Sequence, residues 1–175
     1  VGEDVRAVAE LDGARLANAA VAQGVPLKAL TDGVDSTMLC LSKGLCVPLG
    51  SLLCGSRAFI AEARRNRKLV GGGMRQAGIL AAAGIYALEN NIERLKTDHA
   101  HAKQIGEAVK NCSWVKEVFP VPTNIVVVCL QENVDLPALV QKLKDKNILT
   151  VPFGPQMLRM VTHLDITTAM VDRVC

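Results

Sequence analysis

The stretch "STMLCLSKGLCVPLGSLLCGS", residues 36–56, decides the fold, because it is almost continuously apolar and carries one charge, Lys43. Its first part, within "VDSTMLCLS", is rich in β-branched and apolar residues and predicts a buried strand. The part "VPLGSLLCG" predicts a second short strand that ends in a turn at Gly55. Lys43, Pro48 and three glycines argue against a membrane-spanning helix of this length.

The composition narrows the classes of protein. A chain of 175 residues corresponds to one domain or to a large piece of a two-domain protein. A net charge of +3 is too small to predict a nucleic-acid or membrane partner. Six cysteines without C-x-x-C spacing predict buried free thiols in a reducing compartment. The chain begins without Met and ends where a helix starts, so we expect a fragment.

The first part of the chain reads as alternating helices and strands. Residues 1–10 are predicted to be the end of a helix, and "LANAAVAQG" predicts a helix closed by Gly24. Ser56 is the expected N-cap of a helix over "SRAFIAEARRNRKLV". A long helical pattern follows "GGG", with an expected interruption near residues 90–91. Its first half is apolar on all sides, which predicts burial on all sides.

From residue 113 onward the chain reads as a small α+β domain. "WVKEVFPVPTNIVVVCL", "ILTVPFG" and "MLRMVTH" predict strands, and "DLPALVQKLKDKN" predicts a short amphipathic helix. "DITTAMVDRVC" predicts a final helix capped by Asp165. We therefore expect a first domain over residues 1–107 and a second over residues 108–175.

Lys43 is the first candidate for chemistry. An ammonium group buried in an apolar run is costly, so the pKa of Lys43 would fall and the neutral amine would become available. A neutral lysine amine can form a Schiff base. The alternative is a turn at the end of a strand, with the amine reaching water.

Two further motifs carry charged groups. "LDGAR" places Asp12 and Arg15 on one turn before a helix, where the alternatives are an N-cap carboxylate and a solvated arginine. "MLRMVTH" places Arg159 in an apolar strand, where an arginine usually has a carboxylate or phosphate partner. The alternative is an edge strand with Arg159 facing water. A lysine, a carboxylate and an arginine are the set that pyridoxal 5'-phosphate (PLP) chemistry needs.

The motifs "LDGARL", "SKGLCVPLGS", "GGGMRQAG" and "LRMVTH", in this order, closely resemble the low-specificity L-threonine aldolases, including L-allo-threonine aldolase. The resemblance covers nearly the whole chain. It implies an α/β fold of the aspartate aminotransferase type (fold-type I), here a partial PLP-binding large domain followed by the small α+β domain. It also implies cleavage of threonine or allo-threonine to glycine and acetaldehyde.

The resemblance assigns roles to individual residues. Lys43 matches the lysine that forms the Schiff base with PLP, and Asp12 matches the carboxylate at the pyridine nitrogen. Arg15 and Arg159 match arginines that bind the substrate carboxylate. Arg75 matches an arginine near the phosphate, reaching a neighbouring subunit's site.

Other expectations follow from the same resemblance. Lys68 is expected to face the same entrance as Arg75, and we interpret His163 as a structural histidine at a strand end. The implied reaction is a retro-aldol with an amino-acid substrate, in a homodimer or homotetramer. The expected compartment is the cytoplasm, with the mitochondrion as the alternative.

The sequence also departs from the family. The family's phosphate cup, its ring-stacking histidine and a substrate-binding serine precede "DGAR", and this sequence lacks them. The segment "VRAVAE" runs directly into "LDGAR", as if a segment had been skipped. We therefore keep a second hypothesis, a truncated and non-catalytic paralogue or fragment that lacks the phosphate cup. We also expect this chain alone to bind PLP weakly or not at all. A NAD-binding domain has little support, because "GGGMRQAG" lacks G-x-G-x-x-G spacing.

Overall fold

The structure, a computed structural model, describes residues 8–175. The chain divides into two compact units, of which the first ends at Ile92 and the second spans Glu93–Cys175. This division lies earlier in the chain than the boundary expected after residue 107. The helix end predicted for residues 1–7 lies outside the described part of the chain.

The first unit is built on a three-stranded sheet of order β1-β2-β3. β1 pairs with β2 in parallel, and β2 pairs with β3 in antiparallel fashion. The strands and helices predicted for this unit between residues 16 and 69 are confirmed. The elements are β1 (Glu10–Gly13), α1 (Leu16–Gln23), a 3₁₀ turn (Leu27–Leu30), β2 (Ser36–Cys40), β3 (Ser51–Gly55), α2 (Arg57–Leu69) and α3 (Gly78–Asn90).

The helix end predicted up to residue 10 is wrong where the structure describes it. Ala9 is not helical, and Glu10 begins β1. Asp35, 26 residues later in the chain, makes two hydrogen bonds to Ala9. Its side chain accepts from Ala9 N at 3.0 Å, and its backbone N donates to Ala9 O at 2.9 Å. Pairing with the segment before β2 therefore overrides the local helical pattern.

Helix ends in this unit follow the local signals. Gly24 ends α1 in the left-handed conformation, with φ of 67°. The Ser56 side chain accepts from Phe59 N at the start of α2, which confirms the predicted N-cap. The long helical pattern is interrupted as expected, because α3 ends at Asn90 and the next helix begins at Leu95.

The burial predicted for all sides of α3 is wrong. Within the first unit only Gly84 and Ala87 of α3 are buried. Ile79, Ile85 and Tyr86 are exposed. A single helix can pack only one side against a sheet, so an all-round apolar sequence leaves the other sides uncovered in this unit.

The second unit is an antiparallel sheet of order β4-β5-β7-β6 with helices on one face. Its elements are α4 (Leu95–Val109), β4 (Val115–Val118), β5 (Ile125–Leu130), α5 (Leu136–Asp145), β6 (Val151–Pro152), β7 (Met157–Val161) and α6 (Thr168–Val174). Buried and half-buried residues alternate along β5 and β7, as a sheet covered on one face requires. The buried face, with Val126, Val128 and Leu158 at its centre, belongs to the core that includes residues of α4 and α6.

The cap predicted for the last helix is wrong. Thr167 caps α6, since its hydroxyl accepts from Met170 N at 3.3 Å. Asp165 lies just before it in the chain, where its N donates to His163 Nδ1 at 3.4 Å. Ile166 packs against the core between these two residues, so the chain enters the helix only after it.

The structure also tests the predictions about a membrane-spanning helix and about the cysteines. No helix within residues 8–175 is both long enough and apolar enough to cross a membrane. All six cysteines lie in the described part of the chain and are free, but none is fully buried, so the predicted burial of the thiols is wrong. Cys54, for example, is exposed because it lies on β3, whose residues are all exposed in this unit.

Candidate functional site

The loop between β2 and β3, residues 41–50, carries Lys43. Its base is closed by two hydrogen bonds, from Leu41 N to Gly50 O at 3.1 Å and from Val47 N to Leu41 O at 3.0 Å. Within it, Cys46 N donates to Lys43 O at 2.9 Å, which makes a tight turn. The lysine is therefore held by backbone hydrogen bonds in a closed loop.

The expected burial of Lys43 is wrong for this chain, because Lys43 is exposed. The turn directs Leu45, which is 1% exposed, and Val47 into the core instead. The side-chain amide of Asn91 donates to Leu45 O at 2.8 Å and so fastens the loop from the segment after α3. The loop therefore exposes the Lys43 amine to solvent, while Leu45 and Val47 hold the loop against the core.

Asp12 lies next to this loop in the sheet. β1 ends at Gly13 and its parallel neighbour β2 ends at Cys40, so the carboxyl ends of both strands meet at one edge. Asp12 is the last residue but one of β1, and Lys43 follows β2 by three residues. In open α/β sheets ligands bind at this edge. The topology therefore brings the predicted carboxylate and the predicted lysine to the same edge.

The structure shows the conformation and contacts of the residues in "DGAR". Asp12 is exposed, and its Oδ1 accepts from Ala14 N at 3.0 Å, which is a local turn and not the N-cap of α1. A Cβ at Gly13 would lie 2.1 Å from Met38 O, so only glycine allows β1 to approach β2 this closely. Arg15 occupies the N-cap position of α1 and is half-buried.

The two basic residues predicted near the phosphate lie around the glycine run. Lys68 is in the last turn of α2, and a Cβ at Gly73 would lie 2.8 Å from Lys68 Nζ. Arg75 follows two residues later, exposed, between α2 and α3. The lysine amine and the glycine run are therefore neighbours, on the segment that also carries Arg75.

Arg159 belongs to the second unit and lies on an interior strand. β7 is flanked by β5 and β6, where Arg159 pairs with Val127 and Val151. The edge-strand alternative is therefore wrong. Arg159 Nε is buried, and no group within residues 8–175 accepts a hydrogen bond from it. The guanidinium carbon lies 5.0 Å from the centre of the Phe153 ring.

Arg159 therefore lies on the sheet face opposite the buried core, beside an aromatic ring and with a buried donor unpaired among the described residues. An unpaired buried donor is rare and costly, so an acceptor from a ligand or from water would stabilise it. His163 lies two residues beyond β7, at the strand end expected from the sequence, and its Nδ1 accepts from Asp165 N at 3.4 Å.

Two residues near these groups escape prediction from the sequence. The helical pattern marks Asn91 only as a break, although two consecutive asparagines also indicate side chains able to bond to backbone. The strand pattern includes Phe153 without giving it a role. The chain has only three phenylalanines, and Phe153 lies six residues before an arginine in an apolar strand. This proximity could have indicated a cation–π partner for Arg159.

The chain resembles known proteins in its sequence. The family model described as "Beta-eliminating lyase" matches residues 6–133. The chain is 46% identical over 164 residues to the low-specificity L-threonine aldolase of Escherichia coli K12, covering 94% of this chain and 48% of the relative. It is 40% identical over 162 residues to low-specificity L-threonine aldolase 1 of Arabidopsis thaliana, covering 91% and 45% respectively. The expected resemblance is confirmed.

The fold is also matched by solved structures. A putative L-allo-threonine aldolase from Listeria monocytogenes superposes with a TM-score of 0.76 at 20% identity, over 94% of this chain and 49% of that one. This match confirms the expected α/β fold. The chain spans about half the length of the curated relatives it matches.

Proposed function

We propose that this chain, which belongs to the beta-eliminating lyase family, is part of a PLP-dependent aldolase that cleaves L-threonine or L-allo-threonine to glycine and acetaldehyde. Relatives with 40 to 46% identity carry the name low-specificity L-threonine aldolase. The single observation that supports the proposal most is the position of Asp12 and Lys43 at the carboxyl ends of two adjacent parallel strands.

The chemistry of these groups fits the cofactor. Lys43 offers a primary amine that can react with an aldehyde, and Asp12 offers a carboxylate that can pair with a protonated pyridine nitrogen. When bound, PLP supplies a protonated ring that takes up the electron pair released as the Cα–Cβ bond breaks. Lys43 would hold the cofactor, and the negative charge of Asp12 would keep the proton on the ring nitrogen.

The arginines would bind anionic groups. Arg159, with its unpaired buried Nε, would bind a substrate carboxylate, because guanidinium and carboxylate match in a two-bond geometry. Arg15, in the first unit, offers the same kind of group for a carboxylate. Arg75 and Lys68 would contribute positive charge near the phosphate. In this proposal each basic residue binds a group of opposite charge.

A homodimer or homotetramer in which α3 is covered belongs to the same proposal. The exposed apolar side chains of this helix, including Ile79, Ile85 and Tyr86, support such an assembly. The proposed compartment is the cytoplasm. Cross-linking and sedimentation of the purified protein would measure the oligomeric state.

An absorbance experiment tests the cofactor assignment. The purified protein containing this chain should be yellow after PLP is added, and borohydride should abolish the absorption band and leave the pyridoxyl group on Lys43. Lys43→Ala should be colourless and inactive, whereas Lys28→Ala, which removes an exposed lysine from the same unit, should match the wild type. Aldolase turnover by Lys43→Ala would refute the assignment.

A non-catalytic role is the second candidate, and the exposure of Lys43 is the observation that favours it. In that case the 175-residue chain would bind PLP weakly, with no borohydride-sensitive band at stoichiometric cofactor. A tight yellow complex with threonine cleavage would exclude the non-catalytic candidate.

A further inference from the structure

We infer that Phe153 is a positioning residue for Arg159, and that it sets the orientation in which the guanidinium meets a carboxylate. This inference rests on the proposed function, since the carboxylate is that of the amino-acid substrate. It concerns residues of the second unit only.

The contact between the two side chains supports this role. Arg159 Cζ lies 5.0 Å from the Phe153 ring centre, within the range of a cation–π contact. Phe153 is 47% exposed, so its ring is not an anchor of the hydrophobic core. A ring beside the guanidinium carbon leaves the N–H groups that point away from it for a planar acceptor.

The burial of Arg159 Nε supports the same conclusion. Nε is buried, and within residues 8–175 no acceptor pairs with it, although the ring lies beside the group. The guanidinium is thus partly removed from water before any ligand binds. A partly dehydrated and fixed guanidinium binds a carboxylate with less loss of side-chain freedom.

The turn that carries Phe153 is itself held rigidly. Phe153 N donates to Met157 O at 2.9 Å and closes the connection between β6 and β7. Inside that turn the Gln156 side chain donates to Gln131 O at 3.0 Å and to Val134 O at 2.9 Å. These bonds hold the backbone that carries the ring, which limits the positions that the ring can take beside Arg159.

Steady-state kinetics of the PLP-loaded protein tests the inference. Phe153→Leu keeps the apolar bulk and removes the ring, and it should raise KM for threonine about threefold to tenfold with little change in kcat. Phe153→Tyr should restore the wild-type KM because it restores the ring. Phe119→Leu, which replaces another exposed phenylalanine of the same unit, should leave KM unchanged.

A substrate without a carboxylate separates positioning from general damage. Threonine amide should be turned over equally by the wild type and Phe153→Leu. Phe153→Leu should have no further effect in an Arg159→Met background, which has no cation at this position. An unchanged KM for threonine, or an equal rise for the amide, would overturn the inference.

A binding measurement keeps this test independent of catalysis. Titration with acetate should shift the NMR resonance of Arg159 Nε–H in the wild type and in Phe153→Tyr, with weaker binding in Phe153→Leu. Identical titrations of wild type and Phe153→Leu would reject the role of Phe153. A wild type that binds acetate at Arg159 but cleaves no threonine would reject the proposed function alone.

Discussion

The side-chain amide of Asn91 donates a 2.8 Å hydrogen bond to the carbonyl oxygen of Leu45, across 46 residues of sequence. Leu45 is fully buried and lies two residues after Lys43, in the loop between β2 and β3. The bond therefore fixes the backbone next to the proposed cofactor-binding lysine from the end of α3. It satisfies a carbonyl that would otherwise be buried without a partner.

Asn91→Ala should loosen this loop. Loss of the amide leaves Leu45 O unpaired, and we expect a loss of about 1 to 3 kcal/mol in the free energy of unfolding. Amide hydrogen exchange at Cys46 and Val47 should speed up. The control is Asn90→Ala, because the Asn90 amide makes an exposed bond to Tyr86 O within α3. Equal exchange rates in the two variants would contradict the anchoring role.

Gly13→Ala should disrupt the pairing of β1 with β2. The added Cβ would lie 2.1 Å from Met38 O, a backbone atom that cannot rotate away. We expect a loss of at least about 1 to 3 kcal/mol, as for other overpacked sites. Gly78→Ala is the matched control, since a Cβ there meets open space at the start of α3. The comparison is made by thermal unfolding, and similar Tm values for the two variants would show that the close approach is absent.

Thr167→Ala should destabilise the second unit by about 1 kcal/mol, because it removes the hydroxyl that caps α6. Asp165→Ala should have a smaller effect, since Asp165 does not cap α6. Urea unfolding of the two variants measures the difference. A larger loss for Asp165→Ala would restore the cap predicted from sequence.

His99 should make stability depend on pH. Burial lowers the pKa of His99 from its usual 6.5, and the neighbouring charge of Asp98 opposes this only in part. Below pH 6.5 the unfolded chain therefore binds a proton that the folded chain resists. The contribution of His99 is complete above pH 6.5 and is lost as the pH falls toward the lower folded pKa.

His99→Gln removes this contribution. Urea unfolding of the wild type should show a larger loss of stability between about pH 7.5 and about pH 5.5 than the variant shows, because other titrating groups are common to both. Parallel pH dependence in the two proteins would indicate that the pKa of His99 is the same in the folded and unfolded chains.

The sequence by itself determined most local elements of this protein. Gly24 ends α1 and Ser56 starts α2, since a left-handed residue and a hydroxyl acceptor act within a few residues. The apolar run over β5 likewise predicted a strand, which the fold confirms. The motifs also identified the candidate lysine, carboxylate and arginine, because the order and spacing of those residues are properties of the chain alone.

Tertiary structure alone decided where those groups lie and what covers them. Glu10 belongs to a strand because Ala9 bonds to Asp35 and β1 pairs with β2. Side chains of α3 are exposed although its sequence is apolar on all sides. Lys43 is exposed because its turn buries Leu45, and Arg159 meets Phe153 across a turn. Propensity and capping act over one or two turns of chain. Burial and pairing depend on which distant segments meet, and that information is not contained in any short stretch of sequence.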